Sequence, residues 1–180
     1  SGVETLYTNG GDDTVTLLDA QQRGYLHLGD GQDQLFLADG DNTLTVCHAE
    51  TVIGGSGNDV IIVGSAMSLG VVDLGAGTDR LALTRGDNHI AVSGVEVVVG
   101  SGGSDTIDLA GGADHVVLHL GAGDDQHFAG PGQAVDRDLA HDLPLGLGDV
   151  AVAGPDDDVA ARHRLGAVGH RRDRLRAAYG

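Results

Sequence analysis

Residues 54–62 read GGSGNDVII: two glycines, a spacer, a third glycine, a spacer, Asp59, then β-branched residues. Glycine permits φ > 0 and close backbone approach, while Val and Ile favour extended chain, so the stretch reads as a tight turn feeding a strand. It does not read as a phosphate loop. No lysine follows the glycines, no helical periodicity follows, and the surrounding acids would repel phosphate. Its meaning depends on whether it stands alone, and it does not.

Shifted by 46 residues, the chain lies on itself. CHAETVIG at 47–54 falls over SGVEVVVG at 93–100 and over the opening SGVETLYT. The three glutamates, Glu4, Glu50 and Glu96, are each 46 apart. LGDGQDQLFLADGDNTLTV from Leu28 falls over LGAGTDRLALTRGDNHIAV from Leu74, and LGAGDDQHF from Leu120 begins a third copy. Inside this long repeat is a shorter one of nine residues, starting at Thr8, Leu28, Leu37, Gly54, Leu74, Leu83, Gly100, Leu109 and Leu120. In all nine copies the fourth position is Gly, and the sixth is Asp13, Asp33, Asn42, Asp59, Asp79, Asn88, Asp105, Asp114 or Asp125. The eighth is Val, Leu or Ile in eight of the nine, His127 being the exception.

Such a repeat sets an architecture. Six residues make a turn, three make a short strand with the eighth side chain inward, and the chain reverses. Two nonapeptides would close a coil of about 18 residues, stacked at roughly the 4.8 Å strand spacing into two parallel sheets. The expected fold is therefore all-β, a parallel β-roll or β-solenoid of nonapeptide half-turns over residues 1–128. A 46-residue unit would hold five half-turns, or alternatively two 23-residue coils of a wider solenoid. The thin core of Val, Leu and Ile explains a chain with three Tyr, two Phe and no Trp.

Stacking the coils also stacks the acids. Neighbouring carboxylates in a column repel by about 1 kcal/mol or more even when screened. A hard cation with six to eight oxygen ligands resolves the conflict, and Asp side chains with glycine-turn carbonyls supply oxygens of that kind. Spacing groups the candidates as Asp13 with Asp33, then Asn42, Asp59 and Asp79, then Asn88, Asp105 and Asp125, at steps of 17 and 20 residues.

GGSGNDVII resembles the nonapeptide of the RTX, or haemolysin-type, calcium-binding repeat proteins, GGxGxDxUx with U large and apolar. The resemblance covers residues 1–128. It implies a calcium-bound parallel β-roll, with calcium as the bound ion and all nine sixth-position residues as metal ligands. It further implies a secreted, extracellular protein of a Gram-negative bacterium, with type I secretion machinery and other domains of a longer parent chain as partners. Departures are the missing first glycine in most copies, Asn42 and Asn88 in place of Asp, and VGSAMSLGVVD at 63–73, where the motif is lost.

Charge agrees with cation binding. The chain carries 27 acidic residues against 10 arginines and no lysine, net −17, which disfavours nucleic acid and anionic membrane as partners. No apolar run approaches the roughly 20 residues of a membrane span. Cys47 is alone, so no internal disulfide forms, and it reads as a small buried or half-buried side chain. The nine histidines, His115 and His119 among them, read as surface positions. No catalytic or cofactor constellation stands outside the repeat, so any enzyme domain would lie beyond this segment. The expected role is calcium binding that folds and stabilises a repeat segment; the alternatives are a stalk or adhesin solenoid, or an accessory module of a secreted protease, lipase or epimerase.

After Phe128 the pattern stops. All three prolines and seven of the ten arginines lie beyond it; residues 1–128 carry 16 more acids than bases, the remainder only one more. Residues 129–180 read as an irregular or partly helical tail, with acids before arginines in 155–180 as a helix dipole prefers. A linker, a cap, a secretion signal or a reading-frame error in a GC-rich gene would each produce it. Translating the gene in its other frames past residue 126 separates the last from the rest.

Overall fold

The computed structural model describes residues 2–111, 115–130, 133–137 and 150–152. Every regular element among them is a strand. The first 46-residue unit supplies β1 (Thr5–Tyr7), β2 (Thr14–Thr16), β3 (Tyr25–His27), β4 (Gln34–Phe36) and β5 (Thr43–Cys47). The second supplies β6 (Thr51–Ser56), β7 (Val60–Val63), β8 (Ser68–Ala76), β9 (Arg80–Leu83) and β10 (His89–Ser93). The third supplies β11 (Val97–Val99), β12 (Thr106–Gly111), β13 (His115–His119), β14 (Gln126–Ala129) and β15 (Ala134–Arg137), followed by β16 (Val150–Val152).

Odd-numbered strands form one eight-stranded sheet in chain order, and even-numbered strands form the other. Every pairing is parallel, from β1 on β3 to β14 on β16. This is the expected parallel solenoid. It also decides between the two coil lengths. β1, β6 and β11 begin successive repeat units, yet they lie in the odd, even and odd sheets, so a unit spans five half-turns and alternates sides. Through β14, and apart from bulges in β10, partner offsets are 20 residues, as in Thr5 with Tyr25, or 17, as in Thr43 with Val60; β15 follows β13 at 19 and β16 follows β14 at 24. The 17-residue coils are those containing the three-residue turn at 48–50 or 94–96, each ending in glutamate.

Alternation along each short strand turns one side chain inward, and parallel stacking lines those side chains into apolar ladders. Leu44, Ile61, Leu81, Val98 and Leu118 form one ladder in the odd sheet. Leu35, Val52, Val72 and Val92 form another in the even sheet. Leu35, Leu44, Val52, Ile61 and Leu81 are buried, as is Cys47. Each fully buried Leu or Ile contributes about 1.5–3 kcal/mol, so a core one residue thick suffices without large aromatics. His127 continues the Ile90–Ile107 ladder and is buried there, so not every histidine lies at the surface as expected.

β15 and β16 add the last strand to each sheet beyond Phe128. Most of the anomalous tail, including the helical expectation at 155–180, lies outside the described residues. No helix among the described residues is long and apolar enough to cross a membrane.

Candidate metal centre

Turns connecting odd to even strands stack on one rim of the roll, and turns connecting even to odd strands stack on the other. Residues 8–13 and 28–33 share the first rim, residues 37–42, 54–59 and 74–79 the second, and residues 83–88, 100–105 and 120–125 return to the first. The sixth positions of these turns form hydrogen-bonded columns. Asp13 donates its N–H to Asp33 Oδ1 at 2.8 Å. On the opposite rim Asn42 N–H donates to Asp59 Oδ1 at 2.8 Å, and Asp59 N–H to Asp79 Oδ1 at 2.7 Å. Back on the first rim Asn88 N–H donates to Asp105 Oδ1 at 3.1 Å, and Asp105 N–H to Asp125 Oδ1 at 2.8 Å. The structure thus brings together the same three groups that spacing suggested. Asp114 lies outside the described residues.

These side chains are deep. Asp33, Asp59 and Asp105 are 0 % exposed and Asp79 1 %. A buried ionised carboxylate is costly unless its oxygens are paired. In Asp33, Asp59 and Asp79 the Oδ1 atom accepts the ladder N–H, while Oδ2 of Asp13, Asp33, Asp59 and Asp79 has no hydrogen-bond partner. Asp105 differs, because its Oδ2 accepts the Ser101 N–H at 2.9 Å.

A second ladder runs outside the first. Fifth-position Asp12, Asp41 and Asp87 accept the N–H of Gln32, Asn58 and Ser104 at 2.9, 2.7 and 2.8 Å. In the buried ladder the earlier turn donates; in the exposed one the later turn donates. These pairs of turns are therefore clamped in both senses, with Oδ2 of Asp13, Asp33, Asp59 and Asp79 left over.

The two asparagines show what that remaining half faces. Asn42 Nδ2 donates to the Ala38 and Gly40 carbonyls of its own turn at 2.9 and 2.8 Å, and to Asp59 Oδ1 at 2.9 Å. Asn88 Nδ2 likewise donates to Arg85 O, Gly86 O and Asp105 Oδ1. In both turns the amide supplies positive hydrogen to a ring of oxygens. An aspartate at the same repeat position has none to give, and at Asp13, Asp33, Asp59 and Asp79 its Oδ2 is left without a partner. Glycine completes the cradle: a Cβ on Gly75 or Gly77 would collide with the carbonyl oxygens of Gly55 and Gly57 in the turn beneath.

The electrostatics follow. Burial pushes the Asp79 carboxyl up to about 6; the Asp59 N–H opposes this, while the charges of Asp59, Glu96 and Asp41 add to it. Burial likewise raises Asp59, against hydrogen bonds from the Asn42 amide and N–H. A carboxyl raised in the folded state binds its proton more tightly there than in the unfolded chain. In calcium-stripped buffer, folding supported by Asp79 is therefore expected to strengthen as pH falls from about 6 towards 3.8, and to weaken as pH rises through that window. Far-UV circular dichroism of the calcium-free chain at pH 4.5 and pH 7.5 checks this; a stronger β signal at pH 7.5 contradicts it.

Four residues outside the sixth-position set also belong to the columns: Met67 N–H donates to Asn88 Oδ1 at 2.9 Å, and the other three are Gln21, Glu50 and Glu96. Gln21 N–H donates to Asn42 Oδ1 at 2.9 Å, extending the second-rim column. Glu50 Oε2 accepts the Asp33 N–H at 2.8 Å, and Glu96 Oε2 accepts the Asp79 N–H at 2.6 Å. The 46-residue recurrence of the glutamates was the visible signal for the last two.

No three His, Cys, Asp or Glu side chains among the described residues converge on one metal point. An ion in these turns would draw its remaining ligands from backbone carbonyls. Single carboxylate oxygens without partners, carbonyls crowded over glycines and the absence of thiolate suit a hard divalent cation such as calcium.

A parallel β-roll whose rims carry columns of half-satisfied acids over carbonyl-rich turns defines a class, the cation-binding repeat solenoids. A family model for the RTX calcium-binding nonapeptide repeat (4 copies) matches residues 1–18, 25–44, 48–65, 90–126 and 108–133, more than half of the chain. The chain belongs to that family, and its repeats bind calcium. No curated protein and no solved structure matches it. The matched segments pass over 66–89, yet Asp79 within that gap is joined to the Asp59 column by hydrogen bonds.

Proposed function

We propose that calcium held by Asp13, Asp33, Asp59, Asp79, Asp105 and Asp125 folds and stabilises this roll as one segment of a secreted bacterial protein. The observation that carries the reading is the set of buried Oδ2 atoms without partners at Asp13, Asp33, Asp59 and Asp79. Calcium supplies the positive charge those oxygens lack. Asp114 joins the set by its repeat position. Asn42 and Asn88 present Oδ1 to the ladder, and their amides stand in for the ion within their own turns.

With 19 acids against 3 bases over residues 1–128, the calcium-free chain repels itself. Binding to the folded state alone adds about 2.7 kcal/mol per site at a hundredfold excess over Kd, so several sites would convert a marginal fold into a stable one. That coupling suits export of an unfolded chain followed by folding outside, where calcium is millimolar. Limited proteolysis of the whole chain at micromolar and at millimolar calcium tests it. Protection confined to millimolar calcium is expected; equal protection at both concentrations would remove the folding-switch role.

A further inference from the structure

Glu50 and Glu96 close their columns in the same way, 46 residues apart. Each ends the three-residue turn between β5 and β6 or between β10 and β11, shorter than a nonapeptide turn, and its extra methylene restores the reach that the short turn takes away. Glu50 Oε2 accepts the Asp33 N–H at 2.8 Å, and Asp33 O accepts the N–H of Glu50 and Thr51 at 3.1 and 3.0 Å. Glu96 Oε2 accepts the Asp79 N–H at 2.6 Å, and Asp79 O accepts the N–H of Glu96 and Val97 at 3.2 and 3.1 Å. Each glutamate thus takes the place in the ladder that the next sixth-position aspartate would have held. The acid it abuts is 0 % exposed at Asp33 and 1 % at Asp79, and in both the Oδ2 atom is without a partner.

A hydrogen-bond acceptor alone would be satisfied by Gln or Asn, and this chain uses both amides elsewhere in its columns, at Gln21, Asn42 and Asn88. At the two places where a column runs into a short turn, it uses a second carboxylate beside a buried one instead. Two adjoining carboxylates, one buried with an unpaired oxygen, make a cation site rather than a cap.

We propose that the Asp33–Glu50 and Asp79–Glu96 pairs each hold one additional calcium ion, with Glu50 and Glu96 as ligands, where the nonapeptide motif is absent. The proposal rests on the calcium reading of the columns and adds a terminal site to two of them.

The test counts ions. Calcium bound per chain is measured by flow dialysis on the full chain and on Glu50→Gln, Glu96→Gln and the double variant. Glutamine keeps an oxygen for the Asp33 or Asp79 N–H and removes only the charge. Each single variant is expected to bind one ion fewer and the double variant two fewer. Asp108→Asn, which removes the same charge from the outer face of β12, is expected to lose none. Should a glutamine variant fail to fold, Glu50→Asp and Glu96→Asp keep the charge but lose the reach, and the same loss of one ion is expected. Unchanged stoichiometry in the glutamate variants overturns the terminal sites while leaving the columns intact. No calcium uptake by the wild-type chain overturns the column reading itself, and the terminal sites with it.

Discussion

Gly57→Ala is expected to destabilise the roll by about 3 kcal/mol or more even in saturating calcium, whereas Gly11→Ala loses only about 1–2 kcal/mol. The two glycines hold the same fourth position of the nonapeptide and nearly the same backbone conformation, φ +121° at Gly57 and +110° at Gly11. The strain of a side chain in the left-handed region is therefore common to both. What differs is the neighbour. A Cβ at Gly57 would lie 2.7 Å from the Gly40 carbonyl oxygen and closer still to its carbon; at Gly11 nothing lies within 4 Å. Thermal or urea unfolding of the two variants isolates the contribution of close stacking from that of turn conformation. Equal losses would mean that the turns are not packed against one another as described.

Asp59→Asn together with Asp79→Asn is expected to reverse the protein's dependence on calcium at the second rim. Both acids are buried, both are raised by that burial, and both carry an Oδ2 without a partner. Asn42, on the same column, shows what an amide does there: Nδ2 donates to Ala38 O and Gly40 O. The double variant should reproduce that arrangement in the next two turns. Relieving two uncompensated buried groups is worth roughly 1–3 kcal/mol each, so the calcium-free variant is expected to be more stable than calcium-free wild type. In calcium the order inverts, because the wild type gains binding energy at sites the variant no longer has. The β signal in far-UV circular dichroism with chelator, and the melting temperature with calcium, measured for both proteins, check the inversion. A variant less stable than wild type in both conditions would show that these aspartates serve folding without a cation.

Most of the fold was legible because the repeat writes its geometry directly. Glycine at the fourth position and an apolar eighth position mark a turn and an inward residue, and steps of 17 and 20 residues name the stacked partners. Whether a repeat unit spans five half-turns or two wide coils was not legible, since both lengths divide 46 plausibly; parallel pairing of Thr51 with Val71 but of Thr5 with Tyr25, in opposite sheets, decides it. The site was legible only where it follows the nonapeptide. Glu50 and Glu96 stand in three-residue turns, off the nine-residue register, and reach the column through a longer side chain. The difference between Asp and Asn at the sixth position was hidden for another reason. Both suit the turn, and their contrast lies in which atoms face the carbonyl ring once the coils are stacked.

We propose that calcium completes the buried acid columns and thereby orders the roll. Far-UV circular dichroism of the full chain in chelator, then through a calcium titration with magnesium as the control, is the decisive measurement. The expected result is a weak, coil-like spectrum in chelator that converts cooperatively to a β spectrum with calcium and not with equal magnesium. The same β spectrum in chelator and in calcium would contradict it.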